Sequence, residues 1–159
     1  MTESDIVVLC TNGRHTSFKQ DWQIIRNRVD LPGQFLDGTH LYSVIWHWKI
    51  PDNVLIKTRA IGFHSSDLPF GKGGSPIKNC IKLGFSETMV TAFLMTDQID
   101  AGPVLMKRPV SLIGSEDLVM KNIIETCAGM ITYLETHGSY PMWIPQDQYF
   151  THKFYRRDV

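Results

Sequence analysis

"RAIGFHSSDLPFGKGGSPIKNCIKLG", residues 59 to 84, contains three kinds of sequence in a row. Arg59 to His64 is short and largely apolar, which suits a buried strand. Ser65 to Gly74 is rich in Ser, Gly and Pro, the residues of turns. Ser75 to Leu83 reads as a short helix, with Pro76 at its first position and Gly84 just past its end. A strand that passes through a glycine-rich loop into a helix is a building unit of open α/β sheets, whose ligands gather at the carboxyl ends of the strands. His64 stands at such an end.

Two phosphate-binding patterns fail in this loop. A P-loop needs Ser or Thr directly after Gly-Lys, and here Gly71-Lys72 is followed by Gly73. The dinucleotide fingerprint needs a third glycine where Pro76 stands.

Working outward, Ile6 to Cys10 reads as a buried parallel strand. Residues 16 to 29 suggest a helix, capped by Thr16 or Ser17, with Phe18, Trp22, Ile25 and Val29 on one face and Pro32-Gly33 as its stop. Further strands are expected at 41 to 46, 89 to 96 and 103 to 112. A long amphipathic helix is expected from Ser115 to about Thr136, ending at Gly138. No linker, repeat or low-complexity tract interrupts the chain. The expectation is a single compact domain over residues 1–159, built on an open, mostly parallel, Rossmann-like α/β sheet.

Composition narrows the function classes. The chain has 159 residues, enough for one domain with a core of its own. Sixteen basic residues balance sixteen acidic ones, so no global field favours nucleic acid or an anionic membrane. Cys10, Cys80 and Cys127 are odd in number and form no CxxC pair, against both a disulfide framework and a structural zinc site. The six histidines show no ligand spacing, so no metal is expected. The start, "MTESDIVVLC", has an acidic head and five apolar residues before Thr11, too few for a signal peptide or a membrane span. A reduced, soluble, cytoplasmic setting is the expectation.

A histidine that works as an acid or base needs a carboxylate to orient and charge-balance it. Asp67 is near in sequence. Asp100, in "MTDQIDAGPVL", is the better partner, because the Asp-Ala-Gly-Pro turn presents a carboxylate at the sheet edge. An Asp in such a turn also serves simply to close it, and a histidine at a strand end is often just a satisfied side chain.

The run from His64 to Leu112 resembles the catalytic core of the folate-dependent formyltransferases, a family that includes glycinamide ribonucleotide, methionyl-tRNA and nucleotide-sugar N-formyltransferases. The resemblance rests on His64, Leu68-Pro69, Gly73 to Pro76, Gly84, Thr88, Val90 and Asp100 with Gly102. "IPQ" (144 to 146) and "FYRR" (154 to 157) resemble the close of the same catalytic domain. The resemblance implies a sheet of the formyltransferase type and transfer of a formyl group from 10-formyltetrahydrofolate to an amine, without a metal. It places His64 and Asp100 at the reacting centre. It sets the pterin between the segments 44 to 54 and 94 to 102, which makes Trp46, Trp48, Ile50, Met95, Thr96, Asp97 and Asp100 the cofactor-binding residues, with His47 beside the tryptophans. Ser65, Lys72, Gly73, Gly74 and Ser75 are the substrate-binding candidates, Lys72 and the glycine amides as holders of an acceptor phosphate.

One position departs from the family. An asparagine is expected two residues before the histidine, and this chain has Gly62. Loss of such an amide donor typically costs about 100 to 1,000 fold in rate. Another donor substitutes, or the chain belongs to a branch that never used the amide, or it is a weak relative. The wording Phe-His-x-x-Asp-Leu-Pro is similar to a divergent branch. No tRNA-binding domain is expected after the sheet domain, so the expected acceptor is a small amine, above all a nucleotide-linked amino sugar. The alternatives are a methionyl-tRNA formyltransferase-like enzyme and a non-catalytic folate- or nucleotide-binding relative. The short N-terminal half, with one strand-helix unit trimmed, suggests a homodimer in which a partner completes the pocket.

Overall fold

The computed structural model describes residues 5–14, 17–137, 144–147 and 152–156. Its strands are β1 (Ile6–Cys10), β2 (Gln23–Ile25), β3 (His40–Ile45), β4 (Arg59–His64), β5 (Lys72–Gly73), β6 (Glu87–Leu94), β7 (Val104–Ser111) and β8 (Lys153–Phe154). Its helices are α1 (Asp52–Lys57), α2 (Pro76–Lys82) and α3 (Glu116–Thr136). Six strands make one sheet in the order β2-β1-β3-β4-β6-β7. The neighbours β2, β1, β3 and β4 run parallel, and β6 and β7 continue the sheet antiparallel. β4 is therefore the strand at which the sheet changes sense.

The parallel strands are apolar on both faces because both faces are covered. Val8, Cys10, Tyr42, Val44, Ile61 and Phe63 join a core with Ile123, Ile124, Cys127 and Ile131 of α3. Val7, Leu9, Leu41 and Ala60 join a second core with Ile50 and with Val54 of α1. α3 starts where Ser115 accepts a hydrogen bond from the Leu118 N–H at 3.1 Å, with Glu116 and Asp117 favourably placed in the first turn. Among the described residues no helix is long and apolar enough to cross a membrane.

The open, mostly parallel α/β sheet matches expectation, as do the strands at 6 to 10 and 59 to 64 and the helix after Ser75. The helix expected over 16 to 29 does not form. Within its described part, 17 to 22 is irregular, Gln23–Ile25 is β2 beside β1, and Arg28–Asp30 is a single 3-10 turn. The apolar stripe is broken at Val29, which is 78% exposed, while Trp22 and Ile25 are buried. Asn27 accepts from the Val29 N–H and caps the 3-10 turn, a local bond that competes with helix. Thr16, Gly138 and Arg157 lie outside the described residues.

Candidate active site

β4 delivers His64 to the end of the sheet, opposite Thr91 of β6. The ring is 8% exposed, and its Nε2–H donates to the Gly71 carbonyl at 2.6 Å. That bond places a proton on Nε2 and turns Nδ1 toward Asp100, whose Oδ2 is 3.6 Å away. The distance exceeds a hydrogen bond. The Nε2–H tautomer sets a lone pair on Nδ1 beside a carboxylate, and two acceptors then face whatever sits across them. A group with N–H bonds to spare, such as an amine, satisfies both.

The loop after His64 is held from several sides. Thr88 and Thr91 of β6 donate to the carbonyls of Ser65 and Ser66 at 3.1 and 2.7 Å. The Ser66 hydroxyl donates to Phe70 O at 2.6 Å, and Gly71 O lies 3.1 Å from it. Lys107 of β7 donates to Leu68 O at 2.6 Å and pairs with Asp67. Asp67 therefore belongs to Lys107, and Asp100 is the carboxylate at His64. Gly71 has φ +74°, and a Cβ there would collide with the Phe154 ring. Both facts require glycine at that position.

Asp100 sits in the left-handed region at φ +54°, a conformation that Asp tolerates better than most residues. Its Oδ2 accepts from the Gly73 N–H at 2.9 Å. Gln146 donates to the carbonyls of Asp100 and Gly102, each at 2.8 Å. Gly102 lies so close to the Leu94 carbonyl that any Cβ would collide with it. The turn is pinned at both ends, which is how an outlying backbone conformation persists at a site.

At Gly62 there is neither an amide nor room for one. A Cβ built there would stand 2.6 Å from Phe93 Cζ and 3.2 Å from Met95 Cγ. Phe93, buried, fills the place beside His64 that a side chain at 62 would take.

The expected cofactor residues lie on the face of the sheet that carries Gly62 and His64. Trp46, Leu55 and Met95 pack against the α1-side core, and Ile50 is buried within it. Thr96 and Asp97 line an open groove of about 360 Å³ with Asp52, Leu55 and Ile56 of α1. Trp46 Nε1 is buried without a hydrogen-bond partner among the described residues. Trp48 meets Trp46 edge-on at 5.0 Å and carries the Arg28 guanidinium over its ring at 5.9 Å. His47 lies within 3.0 Å of the Thr11 hydroxyl.

Of the expected substrate residues, Ser65 is buried and Lys72 half-buried. The N–H groups of Gly73 and Gly74 are both engaged, with Asp100 Oδ2 and with Phe154 O at 3.3 Å. Ser75 begins α2 at φ +52° and its side chain makes no capping bond. Sequence reasoning missed Thr91, Lys107 and His152, and it noted Gln146 only as part of "IPQ", without a role; all four hold the site from far along the chain.

No family model matches the chain. In sequence it matches methionyl-tRNA formyltransferase of Mycoplasma capricolum with 39% identity over 70 residues, covering 43% of this chain and 22% of that enzyme. The chain thus spans less than a quarter of that relative. In structure it matches methionyl-tRNA formyltransferase from Clostridium thermocellum with a TM-score of 0.76 at 25% identity, over 96% of this chain and 73% of that one. The formyltransferase PseJ from Anoxybacillus kamchatkensis, solved with UDP-4,6-dideoxy-4-formamido-L-AltNAc and tetrahydrofolate, matches with a TM-score of 0.64 at 20% identity, over 94% and 85%. Sheet, strand-end histidine and pinned aspartate define an α/β domain of the formyltransferase type. In sequence over part of its length, and in fold over nearly all of it, the chain is similar to formyltransferases.

Proposed function

We propose that this chain is an N-formyltransferase that takes its formyl group from 10-formyltetrahydrofolate and passes it to an amine held at His64 and Asp100. The observation that carries the reading is the His64 geometry: Nε2 anchored on Gly71 O at 2.6 Å, Nδ1 open and 3.6 Å from Asp100 Oδ2. Bound folate supplies an activated formyl group on nitrogen. The residues present suit a flat ring with a polar edge: the groove beside Thr96 and Asp97 has Leu55 and Ile56 in its wall, and Trp46 Nε1, in the α1-side core with Leu55, is a buried donor with no partner among the described residues.

The protein's part is to hold and move a proton. The acceptor amine donates toward Nδ1 and Oδ2, which points its lone pair away from them and toward the formyl carbon. As nitrogen gains positive charge, a proton passes to His64 Nδ1, and Asp100 steadies the imidazolium. The charged ring then donates to the oxygen on which negative charge builds, and Nδ1–H is the donor for it in a site with no amide at position 62. The same proton leaves with the departing nitrogen.

The acceptor we favour is the amine of a nucleotide-linked sugar. Two observations support it: a balanced charge, without the cationic excess typical of RNA binders, and the sugar-nucleotide product bound to PseJ. Methionyl-tRNA is the second reading, supported by the sequence match to methionyl-tRNA formyltransferases. Incubation with 10-formyltetrahydrofolate and either an amino-sugar nucleotide panel or methionyl-tRNA separates them. Tetrahydrofolate release with a sugar nucleotide supports the first reading and release with methionyl-tRNA the second. Release with neither removes the enzyme reading.

A further inference from the structure

We propose that His152 is a positioning residue for His64, acting through the backbone of Gly71; for its catalytic consequence this rests on the function proposed above. Gly71 is used from both sides. Its carbonyl accepts from His64 Nε2 at 2.6 Å, and its N–H donates to His152 Nδ1 at 3.0 Å. Because an N–H donates there, His152 Nδ1 is an acceptor and carries no proton. The two rings therefore hold the two backbone polar groups of one residue, with matched roles: one donates to it, the other accepts from it.

His152 is itself well fixed. Its ring stacks on Phe70 with centroids 4.1 Å apart and planes 18° from parallel, and meets Phe154 edge-on at 5.1 Å. Its carbonyl accepts from the Lys72 N–H at 3.3 Å, where β8 runs beside β5. Gly71 has no side chain to hold its peptide planes, and a glycine at φ +74° has open backbone alternatives. Gly71 is buried, so loss of the His152 acceptor leaves a buried N–H unpaired. The Phe70–Gly71 peptide then turns to find another acceptor, the soft φ/ψ joint of glycine passes the change to the Gly71–Lys72 peptide, its carbonyl leaves Nε2, and His64 is free to rotate away from Asp100. Simple aromatic packing predicts otherwise, since a phenyl ring would serve as well on Phe70.

Two substitutions separate these roles. His152→Phe keeps the ring and removes the acceptor; His152→Asn keeps an acceptor near the Nδ1 position and removes the ring. The readout is the ¹⁵N shifts of His64 in long-range histidine NMR spectra of the full chain, with formyl-transfer rate as a second measure. Wild type and H152N should show His64 protonated at Nε2. H152F should show a mixture of His64 tautomers, with kcat down about 10- to 100-fold and donor KM little changed. A wild-type His64 signature and rate in folded H152F overturns the proposal, as does loss of that signature in folded H152N. Should H152F not fold, His152→Leu, which also removes the acceptor, takes its place with the same expected and overturning results. If wild type transfers no formyl group to any acceptor, the proposed function fails while the NMR result still decides the role of His152.

Discussion

Gly62 lies directly across the β4–β6 ladder from Phe93, and the Phe93 ring occupies the space that a side chain at position 62 would need. An aromatic ring over a cross-strand glycine protects the strand pair where the glycine contributes no packing. The pair also decides the chemistry beside His64. One wall of the candidate site is apolar, and under the proposed function the charge handling falls to the histidine and to Asp100.

Gly62→Asn should therefore destabilise the fold by about 1 to 3 kcal/mol through overpacking. Removing the ring with Phe93→Ala opens the space. The double variant should lose less stability than the two single losses summed, measured by urea unfolding. Strict additivity would mean that the two positions do not compete for one volume.

Gly102→Ala forces a methyl group into the Leu94 carbonyl. The Asp100 turn must shift, although the sheet can survive. The expected result is a folded protein whose formyl-transfer rate falls at least about 100-fold, since small misplacements of reacting groups have costs of that order. Near-wild-type activity in this variant would show that the turn is not rigid.

Much of the fold was legible in local pattern. Ile6 to Cys10 and Arg59 to His64 are apolar runs bounded by turns, and Ser115 and Pro76 mark helix starts that the structure bears out. The segment 16 to 29 was misread because Phe18, Trp22 and Ile25 fit a helical stripe as well as they fit an irregular stretch and a short strand that meet the core at the same residues. That Asp100 rather than Asp67 stands beside His64 was legible, because the Asp-Ala-Gly-Pro turn brings a carboxylate to the sheet edge where β4 ends. Lys107, Gln146 and His152 were not, because each acts on backbone atoms some forty to eighty positions away and no local pattern records such a partner.

At the far end of β3 and β4 from His64, Tyr42 donates to Glu135 of α3, which also binds His40 Nδ1 at 2.8 Å. Burial first, and then the Glu135 carboxylate, hold the Tyr42 proton well above the ordinary phenol range. Burial raises Cys127 in the same sense. The unfolded chain releases these protons at about pH 8.5 to 10 while the folded chain keeps them, so stability should begin to fall there and go on falling as pH rises toward the higher folded values. Tyr42→Phe should flatten the upper part of that fall in urea titrations between pH 8 and 11. An unchanged slope would count against the bond to Glu135 as its source.

Cys10, Cys80 and Cys127 are all buried free thiols, each with its proton held more tightly by burial. The thiolate is the reactive form. Native protein at pH 8 should react with a thiol-specific chromogenic reagent at rates set by unfolding, and all three thiols should react at once in denaturant. Fast labelling of any one in native protein would place it at the surface.

The central claim is that His64 and Asp100 form the reacting pair. The direct measurement is tetrahydrofolate release under single-turnover conditions, with the acceptor that gives the highest wild-type rate, for wild type, His64→Asn and Asp100→Asn. The account predicts folded variants with rates down about 100- to 10,000-fold, the range by which a positioned acid or base contributes. Folded variants that keep the wild-type rate would contradict it.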